Sequence, residues 1–80
     1  MKSLKRIGHK IMLRAYTKKS IYYCRKSLCL MLLAMHMYVD RWPSTMINRI
    51  LDMARAAHKE ENKWNHYANA ELEELMILES

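Results

Sequence analysis

RKSLCLMLLAMHMYVDRWP, residues 25–43, is the most apolar stretch of the chain, and its reading decides the fold. Such a run can cross a membrane, be cleaved as a signal, fill a core or wait for a partner. From Ser27 to Val39 it is thirteen residues long. As a helix that is about 20 Å, against a hydrocarbon core of roughly 30 Å. Arg25 and Lys26 bound it on one side, Asp40, Arg41 and Pro43 on the other, and His36 lies inside it. These charges and the length argue against a spanning helix. The run also begins too far into the chain for a signal peptide, and no small-residue cleavage site follows it. A buried helix is what an apolar run of this length ordinarily means.

The rest of the composition agrees with helices. The chain has 80 residues, 51% of them hydrophobic, with one Gly, one Pro and no Phe. It is rich in Leu, Met, Ala, Lys, Arg and Glu, all good helix formers, and it lacks the turn residues that β-hairpins need. The expected class is all-α, in one domain spanning residues 1–80.

Working outward from the apolar run, the periodicity predicts three to four helices. A basic helix covers about residues 3–19, where Leu4, Ile7, Ile11 and Ala15 recur at helical spacing and Met12 and Tyr16 widen the stripe. Ser20 suits the start of a second, apolar helix at 21–40, the alternative being that the first helix runs on; Pro43 ends it by pushing Trp42 out of helical conformation. Ser44 or Thr45 then suits the cap of an amphipathic helix at 45–63. Here Met46, Ile47, Ile50, Leu51, Ala54 and Ala57 face inward, and Asn48, Arg49, Asp52, Arg55 and Lys59 face outward. Asn69 suits the cap of a short acidic helix at 69–78, with Leu72, Leu75, Met76 and Leu78 on one side; a single helix over 45–78 is the alternative that the same spacing allows. From Leu28 to Val39 nearly every position is apolar, and a helix hydrophobic all round is buried all round. Few other helices are available to cover it. The expected architecture is therefore a small bundle completed by a homo-oligomer or by another protein.

Charge divides the chain. Residues 1–26 hold nine Lys or Arg and no acid, whereas residues 27–80 hold five basic and eight acidic side chains. A cationic head of this kind suits an anionic partner or a solvated face. Cys24 and Cys29, five apart, lie about 140° apart around a helix, so they read as small buried hydrophobes of a reducing, cytoplasmic compartment. His58, Glu61 and Asn65 share a helical face, with His66 nearby, but lack the spacing of a metal-binding HExxH helix. No glycine-rich phosphate loop can be built from one glycine. No cofactor, metal or enzymatic activity is expected.

The function expected is stoichiometric protein binding by a small regulator of the inhibitor or antirepressor type. Eight methionines support it, since flexible thioethers suit adaptable helix interfaces. The residues expected to make the apolar contact are Leu30, Leu33, Met37 and Trp42. Those expected to make the charged one are Arg14, Lys18, Lys19, Arg25 and Lys26. The alternative class is nucleic-acid binding through phosphates by the basic N-terminal helix, with Tyr16, Tyr22 and Tyr23 available for stacking. A small membrane-associated peptide is the second alternative.

Overall fold

The computed structural model describes residues 2–79, with side chains described from Leu4 to Glu79. Two helices account for it: α1, Lys2–Val39, and α2, Ser44–Glu79. They fold back on each other as an antiparallel hairpin of 60 × 15 × 13 Å. The long dimension matches a 38-residue helix at 1.5 Å per residue, about 57 Å.

The expectation of three to four helices is thus corrected to two. The predicted break at Ser20 is absent because its hydroxyl does not cap a helix. Ser20 is buried and its Oγ donates to Oδ1 of Asn65 on α2. The predicted break near Asn69 is absent for a related reason: Trp64, Ala68, Glu71 and Leu75 all stay at the helix–helix contact. With no Gly or Pro near Ser20 or Asn69 to interrupt the chain there, continuous pairing outweighs weak cap signals.

The contact follows a strict three–four repeat on both helices. On α1 the inward residues are His9, Leu13, Tyr16, Ser20, Tyr23, Ser27, Leu30, Ala34 and Met37; each is buried or half-buried. On α2 they are Ile47, Ile50, Ala54, Ala57, Glu61, Trp64, Ala68, Glu71, Leu75 and Leu78. This is the heptad spacing of a two-stranded coiled coil. The seam is thin, because five of its seven buried positions are the small residues Ser20, Ser27, Ala34, Ala54 and Ala57. No large side chain of the described residues falls below 2% exposure.

The connection is a helix stop of the Schellman type. Trp42 N donates to Met37 O at 2.9 Å and Arg41 N to Tyr38 O at 3.1 Å. Arg41 takes the left-handed conformation, with φ of 61°, that this stop requires and that glycine adopts most easily. The expected cap at Ser44 or Thr45 moves to Pro43. Its carbonyl accepts from Met46 N and Ile47 N at 3.1 and 3.2 Å, opening α2 at Ser44.

Candidate protein-binding surface

A second three–four row runs along α1, about 150° around the helix from the first. It reads Leu4, Ile7, Ile11, Arg14, Lys18, Ile21, Arg25, Leu28, Leu32, Met35, Val39, and every one of these residues is exposed. The expected apolar stripe Leu4, Ile7, Ile11 and Ala15 therefore points away from the hairpin instead of into it; the half-polar row from His9 to Ser20 takes its place. The corresponding row on α2 is Thr45, Asn48, Asp52, Arg55, Lys59, Asn62, His66, Asn69, Glu73 and Met76. That row is what a water-facing helix surface looks like. The row on α1 is not.

The apolar character is densest toward the turn. Leu28 is 55% exposed, Leu32 56%, Met35 63% and Val39 75%. Met31, Leu33 and Tyr38 flank the row on either side and are likewise exposed. A single covering helix leaves three sides of residues 28–39 open. On one flank an open groove of about 370 Å³ runs between the helices, floored by Ala34 and walled by Met31, Tyr38, Ile47 and Leu51. Of the residues expected to make apolar contact, Leu33 and Trp42 lie at the surface, Leu30 is half-buried, and Met37 is buried in the seam at 8% exposure. Met46, expected inside, is exposed.

The basic head meets the acidic end of the same chain. Arg6 Nε lies 3.9 Å from Glu79, and His9 Nδ1 donates to Glu71. Lys19 Nζ sits 4.1 Å over the Trp64 ring. Arg14, Lys18, Arg25 and Lys26 are exposed and make no ion pair with a described residue. Three of these four, Arg14, Lys18 and Arg25, occupy the middle of the outer row on α1.

Two further features sit at the waist. Tyr16 stacks on Trp64 with ring centroids 5.7 Å apart, and Tyr67 closes on both rings. With Lys19 and Lys63 over the indole, this cluster fastens the helices where the seam is otherwise small. Cys24 is half-buried beside it. A hydrogen bond with Glu61 pushes its thiol above the ordinary range, helped by partial desolvation and by the carboxylate's charge, while Arg25 opposes the shift. Cys29, expected to be buried, is exposed.

His58 Nδ1 lies 3.7 Å from Glu61 and Asn65 is engaged by Ser20, so that face is used within the hairpin. Among the described residues, no cluster of three or more His, Cys, Asp or Glu is placed to hold a metal ion. No described helix is long and apolar enough to cross a membrane. Compared with family models, curated proteins and solved structures, the chain matches none.

The missed residues are Leu28, Leu32, Met35 and Val39, together with Leu4, Ile7 and Ile11. Their signal was available. Two interleaved heptad rows can be read along residues 4–39, and the outer one is the more hydrophobic.

Proposed function

We propose that the chain is a protein-binding module, a small regulator that occupies a partner's surface stoichiometrically, as an inhibitor or antirepressor does. The observation that carries this reading is the outer row of α1. It is apolar at both ends, with the heptad spacing of a helix interface, and nothing in the hairpin covers it. Exposed contiguous apolar surface of this kind marks interaction sites. Met31 and Met35 add the adaptable contact atoms that such interfaces favour.

The test compares capture from extracts of the cell of origin by the wild-type chain and by Leu32→Asp/Met35→Asp. Both substitutions lie on the exposed row, so the hairpin keeps its seam. The expected result is a discrete partner retained by the wild type and lost by the double variant. Identical capture by the two chains contradicts the reading.

A second reading, phosphate contact by the basic head, draws on the unpaired Arg14, Lys18, Arg25 and Lys26. It requires affinity for random duplex DNA that falls steeply with added salt. Unmeasurable binding at low salt removes it.

A further inference from the structure

We infer that the outer row of α1 receives a helix of another protein, one whose contact row is apolar at both ends and acidic in the middle. The inference rests on the protein-binding reading and specifies the occupant. Its first support is periodicity. Eight of the eleven positions on this three–four row are Leu, Ile, Met or Val, an apolar repeat that matches the knobs of a helix partner and that the equally spaced outer row of α2 lacks. A flat or irregular surface imposes no such repeat.

Its second support is the charge inside the row. Leu4, Ile7 and Ile11 form one apolar end, and Leu28, Leu32, Met35 and Val39 form the other. Between them Arg14, Lys18 and Arg25 alternate with Ile21, and none has an acidic partner among the described residues. Cations enclosed in an interface need carboxylates or phosphates opposite them. The apolar ends rule out a phosphate backbone as a match for the whole row. The cationic middle is equally poor for insertion into hydrocarbon.

A second copy of this chain fits worse than an acidic helix. Pairing α1 with itself in parallel sets Arg14, Lys18 and Arg25 each against its own counterpart. Pairing it antiparallel over the whole row sets Lys18 against Arg25, twice in each dimer. A staggered antiparallel overlap of residues 28–39 avoids the cations but spans only about 17 Å, too short for the roughly 1,200 Å² that stable interfaces bury. Aspartates or glutamates opposite the three cations resolve what full-length pairing of α1 with itself leaves unresolved.

The experiment uses the full chain and two designed helical peptides. Both carry Leu or Ile opposite the eight apolar row positions. One carries Glu opposite Arg14, Lys18 and Arg25, and the other carries Lys. Fluorescence anisotropy is expected to show the Glu peptide binding about tenfold or more tighter than the Lys peptide, from three charge pairs at an interface. The triple variant Arg14→Glu/Lys18→Glu/Arg25→Glu is expected to invert that order, with an unchanged thermal melt showing that the hairpin is intact. Equal binding of the two peptides, or binding of neither, overturns the acidic-helix occupant. The capture comparison with Leu32→Asp/Met35→Asp then reports separately on protein binding. A wild-type dimer that the same double variant dissolves would assign the row to a second copy and overturn the inference. Tighter binding to anionic vesicles or duplex DNA than to the Glu peptide would overturn it too.

Discussion

The inner and outer rows of α1 are built on the same spacing, yet their chemistry is inverted. The inner row, which α2 covers, includes His9, Ser20 and Ser27. The outer row, which nothing covers, includes Leu4, Ile7, Ile11, Leu28 and Leu32. In an isolated hairpin the larger apolar side chains belong at the seam. Their placement on the other side indicates that the outer row is under a different demand. α2 supplies the control, because its own outer row is polar from Thr45 to Glu73. One helix has been finished for water and the other has not.

If that comparison is right, substitutions on the two rows separate folding from binding. The largest effect on folding is expected at the waist. Trp64→Ala removes the stack on Tyr16 and Tyr67 together with the cation contacts, at a cost of about 3 kcal/mol in urea unfolding. Leu75→Ala, at a buried seam position, should cost about 2 kcal/mol. Leu32→Asn on the outer row should change stability by less than about 0.5 kcal/mol, because its side chain is already in solvent. A destabilisation by Leu32→Asn as large as that by Leu75→Ala would break the comparison.

Backbone changes sharpen it next. Arg41→Gly should stabilise the hairpin by about 1 kcal/mol, since Arg41 holds a left-handed conformation that glycine enters freely. Gly8→Ala should add about 0.5–1 kcal/mol, because a methyl group there meets nothing within 4 Å. Thermal unfolding of the single variants measures both. Neither change is expected to alter partner capture.

The thiols give the smallest effect. Cys29 is expected to react with a thiol reagent faster than Cys24, whose thiol is held above the ordinary range by its bond to Glu61. Glu61→Gln removes the carboxylate charge, so the Cys24 pKa falls and more thiolate is present at a given pH below about 9. Reaction at Cys24 should therefore speed up across that window, with Cys29 unaffected. An unchanged Cys24 rate would separate the thiol from Glu61.

The sequence made the helical class plain, and it also showed the apolar density of residues 28–39 and the stop at Pro43. The number of helices is not legible, because Ser20 suits a seam as well as a cap, and Asn69 suits the water-facing row of a continuous helix as well as a cap. What decides is tertiary: the Ser20 hydroxyl is taken by Asn65, 45 residues away. The orientation of α1 is not legible for a related reason. Leu4, Ile7 and Ile11 look like a core stripe until α2 is seen to pair with the row on the far side of α1, through Trp64 and Glu71. Arg14, Lys18 and Arg25 stand out in the sequence as part of a cationic head, but only the paired helices show that they interrupt an apolar row.

Site-specific photocrosslinking in the cell of origin tests the central claim most directly, with the reactive residue placed at position 32 on α1 or at position 62 on α2. These two positions lie on the outer rows of the two helices. The account predicts a discrete partner adduct from position 32 and none from position 62. Adducts of equal yield at both positions, or none at position 32, would contradict it.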